Sequence, residues 1–527
     1  MSNTGPEKGK PLPSHAKRSA LIFRNTFSLA SSAMIVQVLA LATIPLLLNK
    51  VSAAEFGIYT MGAAFVGYFS LLSLPARQAT VKYIAEYGEN NIEKIREFAS
   101  SSILVNFGVG VLMALILATL AHYSQELFSL DNDLSERAKL ILYAYALATP
   151  ISLPLYVYGS ILLGLQDYRP ISVLDVVGAL ARAATILLIF FLDGTILWLV
   201  FQELFFEIGR NIFQGVLLSR RYDISGFSRN LVRLDHLKKI RSYGGWSLTY
   251  VLSTLLIYQG TRILVGIFVS VAAIAYFQIA YMLYNIVDRF SGFLQSAVLP
   301  ASSSAIVDGD HEFTQKLLIR GTRSSLCVLL PLTLCTVVLA EPILNSWISL
   351  EYGREAAFLS QILVSTWFFQ GWVMTATTIY RGQGDIREMS ILVLVGALCQ
   401  IALAIVLMQT YGVVGAAVST VIYYFIITPL QIRIASVKVG FDITRFLSEA
   451  VLPVYGPTVI MALLFFSAVN YLGAPSNAWE VIILYSTIFF LMTFVLFALV
   501  AREDGRMILE KLLLVGKSLF NRKSGSG

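Results

Sequence analysis

Charged side chains are scarce in this sequence: Asp, Glu, Lys and Arg together supply 13% of its 527 residues. Soluble globular domains carry about 25% charged residues, so the shortfall excludes an ordinary water-soluble enzyme. Hydrophobic residues make up 57% of the chain and its mean hydropathy is +0.72, which excludes a disordered chain as well. We therefore expect lipid to be the solvent for most of the chain, and apolar segments of about 20 residues become the feature to count.

Cysteine and histidine are also rare, which leaves little material for a disulfide framework or a metal site. Cys327, Cys335 and Cys399 all lie in apolar stretches and form no CxxC pair. None of the four histidines lies in the middle of an apolar segment. No nucleotide-binding motif is complete either. We expect no metal, no cofactor, no nucleic-acid partner and no enzymatic activity.

Fourteen apolar segments are long enough to cross a bilayer, which predicts an all-α polytopic membrane protein. The sixth segment is interrupted by Glu203, Glu207 and Arg210, so counts of twelve or thirteen compete with fourteen. The predicted spans are about 21–49, 56–76, 99–121, 139–164, 171–192, 195–219, 244–269, 272–303, 323–345, 356–380, 388–409, 413–434, 450–473 and 479–501.

Basic residues collect on one side of the membrane if the number of spans is even. The linker 220–242 is the richest segment, with Arg220, Arg221, Arg229, Arg233, Lys238, Lys239 and Arg241. Since cytoplasmic loops carry the excess of Lys and Arg, this bias predicts an even number of spans and two cytoplasmic termini. The expected location is a plasma or inner membrane, crossed many times.

Short motifs recur at a shift of 218 residues, which predicts an internal duplication. The segment 164–169, with Gly, Asp and Arg at fixed spacing, matches 382–387. The same shift carries Gly194 onto Gly412 and the pair 51–52 onto 269–270. Each repeat holds six spans, an even number, so both have the same orientation in the membrane. Two more helices follow the second repeat.

This duplication divides the chain into six predicted regions. They are a cytoplasmic tail at 1–20, a first six-helix bundle at 21–219, a basic cytoplasmic linker at 220–242, a second six-helix bundle at 243–436, two additional helices within 450–502 and a basic amphipathic tail at 503–527. Two like bundles enclose a cleft that rocking exposes to each side in turn, which is alternating access. The alternative is that duplication only built a large membrane scaffold.

Eight charged residues fall within predicted spans, and they favour transport over a scaffold. They are Arg182, Arg210, Arg262, Arg289, Asp175, Glu203, Glu207 and Asp288. Each charge costs about 2.5–3.5 kcal/mol at the centre of a membrane-spanning helix, so these side chains are expected to face a bundle interior or a wet cavity. Some of them could neutralise each other, and the spacing of Asp175 and Arg182 makes that pair a candidate.

Arginines that lack an acid on their own span are the candidate contacts for an anionic substrate. Arg262 is the first of these, and Arg24 at the start of the first span is another. Tyr258 lies in a polar stripe with Arg262 on the seventh span, although hydroxyl groups also serve as contacts between helices. Guanidinium groups bind phosphate oxygens in pairs, which favours a phosphate or carboxylate. Candidates for coupling an ion are Glu203, Glu207 and Asp288.

Four segments resemble the polysaccharide biosynthesis or O-antigen flippases of the multidrug/oligosaccharidyl-lipid/polysaccharide exporter superfamily. These segments are Phe23-Arg24-Asn25-Thr26, Ser52 to Tyr59, Val81 to Glu86, and Ala273 to Phe277. The resemblance covers about 20–500 and implies a cationic cavity, twelve or fourteen helices and no ATP hydrolysis. It implies that Arg24 lines that cavity. Our interpretation of the charges adds Arg262, Arg289, Arg182 and Arg210.

The function implied by the resemblance is the transfer of polyprenyl-diphosphate-linked oligosaccharide from the cytoplasmic to the outer leaflet, for cell-surface polysaccharide. The expected partners are that lipid-linked oligosaccharide, the bilayer and other glycan-assembly proteins. The alternative is a drug or cation antiporter of the same superfamily, which needs an acidic site. A membrane-embedded glycosyltransferase is disfavoured because the longest predicted outer segment, about 122–138, is short.

Overall fold

The computed structural model describes residues 32, 34–48, 50–88, 91–192, 194–224, 226–242, 245–307, 311–382, 386–472 and 479–500. Every regular element in these residues is helical, and eight of the helices are long and apolar enough to cross a membrane. This confirms the all-α polytopic class, whereas the count of fourteen spans stays a prediction. Both predicted tails and Arg24 lie outside the described residues.

The helices follow one another with short connections. Their bounds are α1 Met34–Leu48, α2 Ala53–Ser70, α3 Leu74–Tyr87, α4 Ile92–His122, α5 Ser124–Phe128, α6 Asn132–Gly164, α7 Tyr168–Phe191, α8 Ile196–Tyr222, α9 Leu234–Ser242, α10 Gly245–Leu255, α11 Thr261–Phe268, α12 Val271–Val307, α13 His311–Val338, α14 Ala340–Trp347, α15 Leu350–Ser365, α16 Trp367–Gly382, α17 Arg387–Val439, α18 Ile443–Phe446, α19 Leu452–Leu472 and α20 Trp479–Val500.

Local breaks mark several of these helices. A π-helical turn, Leu256–Gly260, joins α10 to α11. Inside α17, Gly412 has φ 57° and ψ −140°, a left-handed conformation that glycine adopts at little cost. This residue separates the segments predicted as the eleventh and twelfth spans. Two prolines, Pro150 and Pro154, lie inside α6.

Helix ends recur at the predicted shift of 218 residues. α15 begins 218 positions after α6 begins, and α16 ends 218 positions after α6 ends. α2 and α12 begin 218 positions apart, and a serine hydroxyl precedes each as the acceptor of an N-cap hydrogen bond. Ser52 accepts from the N–H of Glu55, and Ser270 from the N–H of Ala273. These matches support the duplication, which we keep as a proposal together with its regional boundaries.

The chain forms two compact units. The first unit comprises Met1–Leu47, Ser73–Leu115 and Ala146–Tyr243, and the second comprises Leu48–Leu72, Ile116–Tyr145 and Gly244–Gly527. The second unit therefore contains α2 and α5, which the sequence analysis placed in the first bundle.

The first unit is held together by an apolar core beneath α3, α4, α6, α8 and α9. Ile84, Phe98 and Val157 are fully buried there. Gly164 at the end of α6 lies so close to Ile84 that a Cβ atom would come within 2.7 Å of its side chain. α7 instead leaves large apolar side chains exposed, including Val177 and Leu188, as expected of a helix in lipid.

The second unit has its core between α13, α16, α17 and α19, where Leu326, Ile379 and Phe446 are buried. α2 packs against α12 at a glycine contact. A Cβ atom on Gly57 would lie 2.0 Å from the carbonyl oxygen of Val271, so only glycine permits this approach of the two backbones.

Candidate functional site

A cavity of about 230 Å³ lies between α7 and α8 of the first unit, and we call it the charged cavity. Its lining is Gly178, Arg182, Glu203, Phe206, Glu207 and Arg210. The three α8 residues Glu203, Glu207 and Arg210 share one helical face because they are separated by four and three positions. The structure thus brings four of the residues singled out in the sequence into one cavity.

The acid that neutralises Arg210 comes from the neighbouring helix. Asp175 on α7 accepts a hydrogen bond from Arg210 at 2.9 Å in an ion pair whose side chains are each less than one-third exposed. The suggested pairing of Asp175 with Arg182 is not formed. Seven residues along a helix separate two side chains by about 10.5 Å, whereas α8 offers a closer partner.

Arg182 is left without an ion-pair partner among the described residues. Its Nε donates at 3.3 Å to the carbonyl oxygen of Gly178, one turn earlier on its own helix. A guanidinium group has five donors, so most of its hydrogen-bonding capacity is available to the cavity.

Arg77, which the sequence analysis missed, places a third guanidinium group close to the charged cavity. It lies 4.9 Å from the centre of the Tyr156 ring and is close enough to Glu207 and Arg210 for electrostatic interaction. The second predicted span ended one residue earlier, at 76, so Arg77 was assigned to a loop. In the structure it lies within α3, two residues after Pro75 at the start of that helix.

Arg262, the leading candidate from the sequence, is almost completely buried in the second unit, at 5% exposure. Its two terminal nitrogens donate to the side-chain oxygens of Gln259 and Gln278. No carboxylate among the described residues pairs with it. These two amides hold its guanidinium group in place. Its role as a substrate contact stays a prediction.

A second cavity, of about 340 Å³, lies wholly within the second unit, and we call it the aromatic cavity. Its lining includes Tyr258, Tyr281, Tyr284, Trp367 and Tyr424, contributed by the π-helical turn, α12, α16 and α17. π-helical turns are frequent at functional sites, and this one contains Tyr258. Among the residues that the structure describes, no Lys or Arg lines this cavity.

Two neighbouring charges on α12 have different surroundings. Both side chains are exposed, but Asp288 lines the aromatic cavity, whereas Arg289 is absent from its described lining. Consecutive residues on a helix point about 100° apart, which explains the separation. Asp288 is the only carboxylate among the described residues that line this cavity.

Sequence reasoning identified Tyr258 and Asp288 but missed the aromatic cluster around them. The available signal was the i, i+3 spacing of Tyr281 and Tyr284, which places both rings on one helix face. Trp367 and Tyr424 lie far along the chain, and no local pattern connects them to α12. Within the part of the chain that the structure describes, no three His, Cys, Asp or Glu side chains are grouped to hold a metal ion.

Comparisons with known proteins support the resemblance noted above. The family described as "Polysaccharide biosynthesis protein" matches residues 22–306. The protein named "Putative O-antigen transporter" from Shigella flexneri is 19% identical over 389 residues, which cover 72% of this chain and 90% of that protein.

Several solved transporter structures share the fold of this chain. "Lipid II flippase MurJ, inward closed conformation" has a TM-score of 0.68 at 16% identity, covering 91% of this chain and 99% of that one. An inward-facing multidrug resistance MATE family transporter has a TM-score of 0.65 at 15% identity, covering 77% and 94%. A MOP superfamily transporter from Pyrococcus furiosus, described as having a binding pocket of reverse polarity, has a TM-score of 0.53 at 14% identity. The match covers 78% of this chain and 96% of that one.

Proposed function

Because the chain belongs to the polysaccharide biosynthesis protein family, we propose that it is a flippase for polyprenyl-diphosphate-linked oligosaccharide. The substrate would move from the cytoplasmic to the outer leaflet of a plasma or inner membrane by alternating access. Both termini would lie in the cytoplasm, and other proteins of glycan assembly would supply and consume the substrate. The chain would act as a transporter and catalyse no covalent step.

The observation that carries this proposal is the Arg182 side chain in the charged cavity. A cation inside a membrane-spanning segment is costly and marks a functional site by default, most of all when no acid pairs with it. Arg182 belongs to such a segment, Tyr168–Ile189, and has no ion-pair partner among the described residues. A diphosphate supplies the missing negative charge and the acceptor oxygens that a guanidinium group binds best.

Arg210 in the same cavity and Arg77 close to it fit supporting roles. Arg210 is already paired with Asp175, so it adds less net charge than Arg182 does. Arg77 lies against the Tyr156 ring, which fixes the position of its guanidinium group. Arg24, Arg262 and Arg289 remain candidate contacts on the grounds given in the sequence analysis.

The test is to delete the gene and measure polyprenyl-diphosphate-linked sugars in the membrane by mass spectrometry. We expect one lipid-linked glycan to accumulate, and wild-type protein to reverse the accumulation. Arg182→Gln should restore less than about one-tenth of the wild-type export rate, which corresponds to losing one charged hydrogen-bonding group. The control is Arg229→Gln, since Arg229 is exposed and lies outside both cavities.

Two results would overturn the proposal. One is the absence of any accumulated lipid-linked glycan together with normal surface polysaccharide. The other is full activity of Arg182→Gln at the same protein level as wild type, because the unpaired guanidinium group would then have no role in transport.

A drug or cation antiporter is the second candidate, and one observation favours it: each cavity contains carboxylates. Glu203 and Glu207 line the charged cavity, and Asp288 lines the aromatic cavity. This function predicts that Glu207→Gln or Asp288→Asn alone abolishes resistance to cationic drugs in an efflux-deficient host. Unchanged drug sensitivity on deleting the wild-type gene would exclude it.

A further inference from the structure

The aromatic cavity contains a continuous cluster of rings. Tyr258 lies 4.9 Å from Tyr281 and 4.9 Å from Tyr284, measured between ring centres. Tyr281 and Tyr284 are 5.4 Å apart and nearly parallel, with 13° between their planes. Tyr284 in turn stacks on Trp367 at 5.9 Å and 29°. Such a surface presents flat π faces to whatever occupies the cavity.

Polar groups at the rim of these rings can form directional hydrogen bonds. The hydroxyls of Tyr258 and Tyr424 are 3.0 Å apart, and the hydroxyl of Tyr284 donates to the side-chain oxygen of Gln370 at 3.1 Å. The indole N–H of Trp367 is buried and has no hydrogen-bond acceptor among the described residues. A buried donor without an acceptor is costly and rare in native proteins.

The combination of stacked rings, hydroxyls and amides suits a pyranose ring. A sugar presents C–H groups on its faces, which pack on aromatic rings, and hydroxyl groups at its edge, which pair with amide and phenol groups. The volume of about 340 Å³ has room for one or two such rings. A bare metal cation needs a tight shell of oxygen atoms, which a cavity of this size does not provide.

We propose that the aromatic cavity binds a sugar unit of the transported substrate, and that it selects neutral or amino sugars over acidic ones. The selection rests on charge: Asp288 lines the cavity, and none of the described lining residues is a Lys or an Arg. A uronic acid would place its carboxylate near that of Asp288, whereas an amino group would gain from it. This inference rests on the proposed function, which identifies the substrate as a glycan. It assigns recognition of the sugar class to the aromatic cavity, whereas Arg182, the candidate phosphate contact, lines the charged cavity.

The test uses Trp367 as an optical probe inside the cavity. The other five tryptophans, Trp198, Trp246, Trp347, Trp372 and Trp479, are replaced by phenylalanine in the full-length protein. The variant is reconstituted in lipid nanodiscs, and its fluorescence is followed during titration with N-acetylglucosamine, glucosamine and glucuronate. We expect a saturable change with the first two sugars and affinity for glucuronate weaker by about ten-fold or more.

Three substitutions locate the response. Asp288→Asn should remove most of the discrimination against glucuronate while leaving the affinity for N-acetylglucosamine within about three-fold of the parent. Tyr284→Ala should weaken every sugar by about ten-fold or more, and Tyr284→Phe, which keeps the ring and so preserves the packing, should weaken them by less. Tyr485→Ala is the control, because that ring packs against Phe465 and does not line the cavity.

Two outcomes would overturn the inference. One is the absence of a saturable change with all three sugars in a protein whose unfolding temperature matches that of the parent. The other is a response to tetraphenylphosphonium that N-acetylglucosamine does not compete with, which would make the cavity a site for organic cations. If sugars fail to bind while the deletion strain still accumulates its lipid-linked glycan, this inference falls and the flippase proposal stands. If sugars bind but the deletion strain accumulates no lipid-linked glycan, this inference stands and the flippase proposal falls.

Discussion

The two cavities of this protein stabilise their polar groups in different ways. The charged cavity places arginines and carboxylates of α7 and α8 together, and only some of these charges are paired. Arg210 pairs with Asp175, while Arg182 has no ion-pair partner in the described part of the chain. The described lining of the aromatic cavity has one carboxylate, and its phenol groups form hydrogen bonds with each other and with an amide. The first arrangement suits a charged ligand, and the second suits a ligand that stacks and forms neutral hydrogen bonds.

The most severe test of this contrast is to remove the carboxylate that neutralises Arg210. Breaking a buried ion pair costs about 3–5 kcal/mol, and the partial exposure of this pair puts the expected loss for Asp175→Ala at the low end of that range or below it. The thermal unfolding temperature in detergent should fall clearly. The double variant Asp175→Ala/Arg210→Ala should recover part of the loss, because it no longer contains an unpaired cation.

An exposed ion pair supplies the matched control for that experiment. Lys316 and Glu312 are separated by 2.5 Å, but their side chains are 59% and 79% exposed. Glu312→Ala should therefore cost less than about 1 kcal/mol. Equal losses for Asp175→Ala and Glu312→Ala would show that the charged cavity is as well hydrated as the protein surface, and the contrast between the cavities would disappear.

The helix contact at Gly57 tests how much of the second unit depends on close packing instead of on its cavity. A side chain at this position would meet the backbone of Val271, so Gly57→Val should lower the free energy of unfolding by about 1–3 kcal/mol through overpacking. Gly456→Ala in α19 is the control, because a Cβ atom there has no neighbour within 4 Å and alanine favours the helix. A destabilised Gly456→Ala with an intact Gly57→Val would contradict this view of the packing.

The hydroxyl pair of Tyr258 and Tyr424 tests whether the aromatic cavity is held by neutral hydrogen bonds. Tyr258→Phe keeps the ring and removes one donor, so we expect a loss of about 1 kcal/mol, measured as a shift in the unfolding temperature. Tyr143→Phe, at an exposed position on α6, should leave that temperature unchanged. If both variants behave alike, the hydroxyl pair contributes nothing to the stability of this cavity.

The smallest expected effect concerns the charge of a histidine on α9 of the first unit. On α9, the ring of His236 lies 5.1 Å from that of Phe98, measured between ring centres. Burial of the imidazole lowers the pKa of His236, and the positive charge of the nearby Lys239 lowers it further. A hydrogen bond with the backbone of Glu97 opposes that shift. Because the proton is disfavoured in the folded state, the contribution of His236 to stability is complete above about pH 6.5 and is lost as the pH falls toward the lowered pKa.

Hydrogen exchange of residues 234–242, corrected for its intrinsic pH dependence, measures this effect. We expect protection of α9 to decrease between about pH 7 and pH 5.5, and His236→Gln to make the protection independent of pH in that window. His122→Gln, at an exposed position, is the control. A pH profile of His236→Gln that matches wild type would assign the effect to another group.

Much of the architecture follows from patterns that are local in the sequence. Apolar length predicted the membrane-spanning helices, and the spacing of Glu203, Glu207 and Arg210 predicted their common face. Both serine-capped helix starts fell at the shift of 218 residues that the motifs had indicated. The same kind of pattern predicted the wrong partner for Asp175. Spacing along one helix contains no information about a closer arginine on a neighbouring helix.

The sequence by itself determined that this chain is helical, that it belongs in lipid and that its charges must avoid lipid, because these properties depend on the composition and periodicity of short segments. Only the tertiary structure decided which charges pair, that Gln259 and Gln278 hold Arg262, and that tyrosines from distant helices surround one cavity. These outcomes depend on distances between residues remote in the chain. Such distances are set by the packing of whole helices, which no local pattern records.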